Sequence, residues 1–243
     1  MLYGVLLYCT EERDRVNLHR PISERNHAGL VLRSTLVLYL LSGTLVFAAT
    51  PSTSDTRPRI VAFGDSLTAG LGVSADESYP AQLQRRLDHL DYRYRVINAG
   101  VSGDTTAGGV RRVPWVLSSK PDLVILELGG NDGLRGLSLE QTKSNLSEII
   151  RRLQQAGVTV ILAGMKLPPN YGPEYIAGFE AIYPALAKQY HLPLIPFFLE
   201  GVAASSTLNQ ADGIHPTKEG YRMIVEQILK TLGPLLARRP AKS

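Results

Sequence analysis

Four short polar segments of this sequence carry the residue types that acyl transfer needs. They are Gly64-Asp65-Ser66-Leu67, Ala99-Gly100-Val101-Ser102-Gly103-Asp104, Gly129-Gly130-Asn131-Asp132 and Asp212-Gly213-Ile214-His215-Pro216. A serine hydroxyl becomes a nucleophile when a neutral imidazole takes its proton, and the imidazole needs an acceptor that fixes its tautomer. Ser66, His215 and Asp212 could fill these roles. An oxyanion needs N–H donors, for which the Gly103 backbone and the Asn131 amide are candidates.

Each segment alone is weak evidence, because its residues also fit purely structural roles. A Gly-Asp-Ser turn after a strand is most often only a turn, and Gly103 also suits a turn. Asn131 and His215 could cap helices. Three acidic neighbours are predicted to brace these loops as hydrogen-bond acceptors: Asp65, Asp104 and Asp132. Glu127 is predicted to be structural or locally paired. The presence of all four segments in one chain favours the chemical interpretation.

The segments must be brought together by the elements that precede them. Short apolar runs alternate with helical patterns, which is typical of βα units on a parallel sheet. The predicted strands are Ile60–Phe63, Tyr94–Ile97, Leu123–Leu128, Val158–Ala163 and a weaker fifth, Leu192–Ile195. Three of the polar segments directly follow the first three strands. Because the carboxyl ends of parallel strands share one edge of the sheet, we expect these loops to form one crevice.

Two helices are clearly predicted by their apolar spacing. The first spans Ser138–Gln155 and begins with a capping box of Ser138 and Gln141. The last spans about Pro216–Leu232, with proline at its first helical position. This would place His215 at a helix N-terminus, where the helix dipole disfavours the imidazolium while the charge of Asp212 favours it.

The four segments occur in the order of the four conserved blocks of the SGNH (GDSL) hydrolases, and the chain resembles that family over about Arg59–Pro234. The phrases LGGNDGLRG, LPPNYG, AIYPALAK and PLIPFF are similar to the branch of bacterial periplasmic acyl-CoA thioesterase I, lysophospholipase L1 and arylesterase. The resemblance implies a flavodoxin-like three-layer α/β/α sandwich with a mainly parallel five-stranded sheet. It also implies a Ser66/His215/Asp212 triad and an oxyanion hole formed by the Ser66 and Gly103 N–H groups and the Asn131 side chain.

The segment Met165–Tyr171 follows the fourth predicted strand and should border the same crevice. Leu167, Pro168 and Tyr171 could line a groove for an acyl chain. The alternative is that LPPNYG merely turns the chain, because proline and glycine favour turns. A second hypothesis is that residues 133–137 form a lid.

These observations lead to one expected function and two alternatives. The chain is expected to be an exported serine hydrolase that cleaves aryl esters, acyl thioesters and lysophospholipids through an acyl-enzyme on Ser66. The first alternative is a carbohydrate or peptidoglycan O-acetyl esterase on the same fold. The second is a flavodoxin-like binding module without chemistry, since a fold does not fix a function.

Composition limits the cofactors and partners of the chain. The net charge of +4 comes without a long Lys/Arg run, so no nucleic-acid partner is expected. Cys9 is the only cysteine, which excludes an intramolecular disulfide. The expected partner is a small-molecule ester or thioester, the chain is expected to be a monomer, and neither a cofactor nor a metal is expected, since no His/Cys cluster has ligand spacing.

The pattern of the N-terminal part indicates an export signal. The apolar run Leu36–Ala49 has 14 residues, which suits a signal-peptide core better than a membrane span of about 20. We expect cleavage near Ala48, a periplasmic or secreted product, and no stable membrane insertion after cleavage. The alternative is a membrane anchor through residues 34–54. The predicted organisation is an extension with signal peptide (1–48), a linker (49–58), the hydrolase domain (59–236) and a tail (237–243).

Overall fold

A five-stranded parallel sheet lies at the centre of residues 55–236, which the computed structural model describes. Its strands are β1 (Arg59–Gly64), β2 (Arg95–Gly100), β3 (Leu123–Glu127), β4 (Thr159–Ala163) and β5 (Leu194–Ile195). They lie in the order β2-β1-β3-β4-β5, and each neighbouring pair is parallel. The predicted sheet is therefore confirmed. The predictions for residues 1–54 and 237–243 lie outside the described residues.

Helices cover both faces of this sheet. They are α1 (Ser66–Ala69), α2 (Tyr79–His89), α3 (Thr106–Ser118), α4 (Gly130–Leu134), α5 (Leu139–Gln155), α6 (Pro173–Tyr190) and α7 (Lys218–Leu236). Two 3-10 turns, Ala75–Glu77 and Pro169–Tyr171, complete the described chain. Helix α2 connects β1 to β2, toward one edge of the sheet, while α3, α5 and α6 make connections that run toward the other edge. Because such crossovers are right-handed, α2 lies on the opposite face of the sheet from α3, α5 and α6. There α2 packs against α7, which gives the three layers of the predicted sandwich.

Strands β1, β3 and β4 are mostly apolar, which suits strands covered on both faces, whereas the edge strand β2 is partly exposed. All five residues of β3 are buried, as are the last five of β1, and together with the inward faces of the helices they form the core. At the carboxyl edge of the sheet, Gly64 of β1 pairs with Gly100 of β2 and with Glu127 of β3. The loops after these three strands therefore leave the sheet side by side, as expected.

Most element boundaries agree with the sequence analysis. Ser138 caps α5, and its hydroxyl accepts a hydrogen bond from the Gln141 N–H at 3.3 Å. The Gln141 side chain bonds to Asn145 instead of completing the capping box. Strand β2 is longer than predicted, because its pairing with β1 continues to Gly100. Strand β5 is shorter than predicted, because it lies between two prolines that offer no N–H groups to a ladder.

The predicted start of the last helix is wrong. Helix α7 begins at Lys218, and Pro216 instead forms an isolated antiparallel bridge with Asn209. The Thr217 N–H also donates to the Leu208 carbonyl at 2.8 Å. These bonds pair residues 216–217 with residues 208–209, so His215 lies before the first turn of α7 and not directly at its first position.

None of the helices within residues 55–236 is both long and apolar enough to cross a membrane. The longest of them, α7, is amphipathic and buries one face against the sheet.

Candidate active site

Ser66 is placed by the sharp turn that follows β1. It is the first residue of α1, and Asp65 caps this short helix by accepting the Leu67 N–H at 3.0 Å. The Ser66 side chain is half-buried, and its Oγ lies 2.8 Å from Nε2 of His215, 149 residues further along the chain. The turn therefore presents the hydroxyl to an imidazole from a distant loop.

His215 and Asp212 form a compact pair within one loop. Nδ1 of His215 lies 2.6 Å from Oδ2 of Asp212, while Oδ1 accepts the N–H groups of Ile214 and His215 at 2.9 and 3.0 Å. The backbone N–H of His215, its side chain and the N–H of Ile214 together lower the pKa of Asp212 to about 2. The carboxylate thus stays ionised and acts as an acceptor for the imidazole.

The loop that carries this pair is fastened to the turn after α1. The Gln210 N–H donates to the His215 carbonyl at 2.7 Å. The Gln210 side chain donates to the carbonyls of Leu71 and Pro216 at 2.7 and 3.0 Å. Gln210 therefore links the segment beyond Ser66 with the segment of His215, which holds the two halves of the site in register.

Gly103 and Asn131 reach the same region from the loops after β2 and β3. Gly103 has a φ of +77°, a conformation that glycine adopts without strain. Asn131, in α4, donates from Nδ2 to Oδ2 of Asp65 at 3.1 Å. Nη2 of Arg135 donates to the Gly103 carbonyl at 3.0 Å. Ser66, His215 and Asp212 are thus joined directly, while Asn131 and Gly103 are linked to them through Asp65 and Arg135.

The acidic neighbours of these loops brace them, as predicted. Asp132 accepts the Thr106 N–H at 2.8 Å and the Thr106 hydroxyl at 2.5 Å, which ties α4 to the start of α3. Asp104 accepts a bond from Nε of Arg112 at 2.7 Å, and the same guanidinium donates to two backbone carbonyls of the adjoining strand ends. The three loops are therefore cross-linked before any substrate binds.

A buried pair of carboxyl groups lies beneath the Ser66 turn. Glu127 is fully buried and accepts from the Thr68 hydroxyl at 2.7 Å, which confirms its local pairing, while its Oε1 has no hydrogen-bond partner. Burial, reinforced by the charge of Asp65, raises the pKa of Glu127 well above its usual value. Burial also raises the pKa of Asp65 to about 6, opposed by bonds from Leu67 and Asn131. A pKa of about 6 leaves Asp65 mostly ionised at neutral pH, while burial favours the protonated form of Glu127.

The three residues predicted to line an acyl groove have different surroundings. Leu167 is buried. Its side chain and the ring of Phe179 both occupy the space on α4 that a side chain at Gly133 would need. Pro168 is exposed and Tyr171 is half-buried. Leu167 thus supports the helix that carries the GGND segment, while Pro168 and Tyr171 lie nearer the surface. Their role in substrate binding stays a prediction.

The segment proposed as a lid begins within α4 and is held by two tyrosines. The Tyr171 hydroxyl donates to the Leu134 carbonyl and the Tyr175 hydroxyl to the Leu137 carbonyl, both at 2.8 Å. The two rings stack, with centroids 6.5 Å apart. Opening of this segment would break these contacts, and the lid stays a hypothesis.

Sequence reasoning missed one residue of this region. Arg135 contacts both Gly103 and Asn131, but the sequence analysis did not single it out. Its position four residues after Asn131 is the available signal, since residues at i and i+4 face each other on a helix. The contact with Gly103 spans 32 residues and has no local signature.

The part of the chain that the structure describes contains no group of three or more His, Cys, Asp or Glu side chains able to hold a metal ion. His89, at the end of α2, and His191, just beyond α6, are both exposed.

Comparison with known proteins gives consistent matches. The family model described as the GDSL-like lipase/acylhydrolase family matches residues 62–223. Esterase TesA from Pseudomonas aeruginosa is 45% identical over 81% of this chain and 98% of its own length. Thioesterase 1/protease 1/lysophospholipase L1 from Escherichia coli K12 is 41% identical over 73% of this chain and 84% of its own. A crystal structure of TesA superposes with a TM-score of 0.71, at 46% identity over 73% of this chain and 99% of the other.

Proposed function

The chain belongs to the GDSL-like lipase/acylhydrolase family, and from this premise we propose that it hydrolyses carboxylic esters and thioesters through an acyl-enzyme on Ser66. One observation carries the proposal. The two ring nitrogens of His215 lie 2.8 Å from the Ser66 hydroxyl and 2.6 Å from the Asp212 carboxylate. In this arrangement an imidazole with its proton on Nδ1 can accept the serine proton at Nε2.

In the acylation step, Oγ of Ser66 attacks the carbonyl carbon while its proton moves to Nε2 of His215. The ionised Asp212 stabilises the imidazolium that forms. The carbonyl oxygen becomes an oxyanion, and its proposed donors are the backbone N–H groups of Ser66 and Gly103 and the Asn131 amide. Preorganised donors of this kind are worth on the order of 10²–10³ in kcat each.

The tetrahedral intermediate then collapses, and the bond from carbon to the leaving oxygen or sulfur breaks. The leaving group takes the proton from His215, which leaves the acyl group on Ser66. Water then gives a proton to the neutral imidazole and attacks the acyl carbon, and Ser66 regains its proton as the acid departs. The steps as proposed use side chains, backbone N–H groups and water, and no cofactor or metal takes part in them.

The proposed substrates are aryl esters, acyl thioesters and lysophospholipids. Support comes from the matched relatives, one named an esterase and one a thioesterase and lysophospholipase. Leu167, Pro168 and Tyr171 are the proposed walls of the acyl groove. An apolar groove separates neighbouring chain lengths by only about 1–3 kcal/mol per methylene, so a broad substrate range is expected.

We further propose that the enzyme works as an exported monomer without a nucleic-acid partner. Export is supported by the apolar run of 14 residues that ends at Ala49, and the proposed cleavage site lies near Ala48. Anchoring through residues 34–54 is the alternative. N-terminal sequencing of the protein recovered from cell fractions distinguishes the two.

The test of the proposed reaction is hydrolysis of p-nitrophenyl acetate, butyrate, octanoate and palmitate by the purified chain and by Ser66→Ala. We expect activity that peaks beyond acetate and falls by at least about 10⁴-fold in Ser66→Ala. The control is Ser118→Ala, an exposed serine at the end of α3, which should leave the rates unchanged. Activity on acetate alone would favour the O-acetyl esterase, and equal inactivity of the wild type and Ser66→Ala would overturn the proposal.

A further inference from the structure

The Asn131 amide is held by hydrogen bonds at both of its ends. Its Nδ2 donates to Oδ2 of Asp65 at 3.1 Å, and its Oδ1 accepts from Nη2 of Arg135 at 3.4 Å. An ionised carboxylate can only accept and a guanidinium can only donate. The two neighbours therefore assign the amide orientation independently. Each amide nitrogen carries two hydrogens, so one N–H of Asn131 stays available for a substrate oxyanion.

Asp65 connects this amide to the backbone that carries the nucleophile. It directly precedes Ser66 and is almost fully buried, and its Oδ1 accepts the Leu67 N–H at 3.0 Å. The carboxylate has no freedom to turn away, because one oxygen is fixed by α1 and the other by Asn131. Any movement of the Asn131 amide relative to the Ser66 turn must therefore strain or break a charge-assisted hydrogen bond.

Arg135 adds a second connection from the solvent side. The same Nη2 that contacts Asn131 also donates to the Gly103 carbonyl at 3.0 Å. One guanidinium nitrogen thus joins the two residues proposed to donate to the oxyanion from the loops after β2 and β3. Arg135 is exposed, so this connection is weaker than that of the buried Asp65.

We propose that Asp65 is a positioning residue of the oxyanion hole, which holds the Asn131 amide with one N–H directed to the reacting carbonyl, and that Arg135 assists from the opposite end. This inference rests on the proposed function, in which Asn131 stabilises the oxyanion. Asp65 acts only through Asn131 and does not touch the substrate.

The substitution Asp65→Asn separates this role from folding. The new side-chain oxygen can still accept the Leu67 N–H, so the cap of α1 is kept. The new amide nitrogen faces the NH₂ group of Asn131, and two donors cannot bond. The Asn131 amide must turn over to offer its oxygen, which moves its N–H groups toward Arg135 and away from the oxyanion.

The decisive experiment is a double-mutant cycle of Asp65→Asn and Asn131→Ala on the full chain, with p-nitrophenyl butyrate at pH 8. We expect each single variant to lose on the order of 10²-fold in kcat with KM within about twofold, because the donor acts in the transition state. In the Asn131→Ala background, Asp65→Asn should cost at most about twofold more, since its target is absent. Thermal unfolding of each variant checks the fold.

Three results would overturn the inference. Asp65→Asn could keep full kcat, it could cost the same factor in both backgrounds, or it could raise KM in proportion to the loss of kcat. If Asn131→Ala itself is fully active, the oxyanion assignment fails together with the inference. If only Ser66→Ala and Asn131→Ala are impaired, the proposed reaction stands and the positioning role alone fails.

A matched pair of arginine variants tests the other end of the amide. Arg135→Gln should lower kcat by about fivefold without a change in KM, as expected for a modest exposed contact. Arg111→Gln removes an exposed guanidinium from α3 and should leave kcat unchanged. Equal effects of the two variants would assign the loss to the overall charge and remove Arg135 from the proposal.

Discussion

His215 and Asp212 are joined at two points, one on the backbone and one on the side chain. The His215 N–H donates to Oδ1 of Asp212 at 3.0 Å, and its ring Nδ1 lies 2.6 Å from Oδ2. The backbone bond orients the carboxylate whatever the imidazole does, so Oδ2 always faces the ring. The ring proton is therefore held on Nδ1, and Nε2 is left to accept the proton of Ser66.

The first prediction concerns Asp212→Asn. The amide oxygen can keep both backbone bonds, but the NH₂ group now faces Nδ1 and favours the wrong tautomer. We expect kcat to fall on the order of 10³–10⁴-fold with little change in KM, as for triads of this kind. The same change at Asp88, an exposed aspartate near the end of α2, is the control and should be silent. A loss below about tenfold would contradict the assignment.

The second prediction concerns pH and the cost of burying Asp65. Burial raises its pKa to about 6 from an ordinary 3.8, so the unfolded chain releases this proton at lower pH than the folded chain. The contribution of Asp65 to the free energy of unfolding should therefore fall as the pH rises between these values, by up to about 3 kcal/mol. The free energy of unfolding of both proteins is measured in urea at pH 4 and pH 8. The value for Asp65→Asn minus that for the wild type should be more positive at pH 8 than at pH 4. The same difference at both pH values would show that this carboxyl does not titrate as described.

The third prediction concerns Leu167→Ala. Removing this buried side chain from between Gly133 and Phe179 leaves a cavity, and we expect a loss of about 2–4 kcal/mol in the free energy of unfolding. If Leu167 also bounds the acyl groove, the rate on octanoate should change relative to that on acetate. Pro168→Ala alters the exposed neighbour and should leave stability nearly unchanged. A lower stability with an unaltered chain-length profile would restrict Leu167 to packing.

The fourth prediction concerns the close approach of β2 to α1. A Cβ at Gly100 would lie 2.1 Å from the Ala69 backbone nitrogen, a distance that requires the backbone to move. Gly100→Ala should displace α1 and with it Ser66, which lowers both kcat and the melting temperature. Gly233→Ala in α7 meets nothing within 4 Å and should be neutral or stabilise by up to about 1 kcal/mol. Wild-type activity in Gly100→Ala would show that the turn tolerates the shift.

The sheet and the candidate site could be predicted from the sequence for different reasons. Strand β3 is apolar over its whole length because both its faces are covered, and such a run can be seen without tertiary information. Ser66, Asp212 and His215 were found because their segments form recognisable motifs. The position of the Ser66 segment at the carboxyl end of β1 followed from topology, whereas the loop of Asp212 and His215 follows no strand directly.

The remaining features depend on contacts between residues far apart in sequence. Pro216 has the local signature of a helix start, but its bridge to Asn209 keeps the chain extended and delays α7 to Lys218. Tertiary pairing therefore overrode a local preference. The contact of Arg135 with Gly103 gave no signal, because it crosses between two loops and no periodicity records such a contact.

Ser66 and His215 are separated by 149 residues in the sequence, so the activity of the enzyme reports on the formation of long-range contacts. Asp212 and His215 lie in one short loop, so their pairing needs only local chain closure. The hydroxyl meets the imidazole only when the segment before α7 has docked on the turn after α1, and this contact joins two distant parts of the chain. During refolding, the recovery of ester hydrolysis should therefore lag behind the recovery of helical circular dichroism, since such long-range contacts form late.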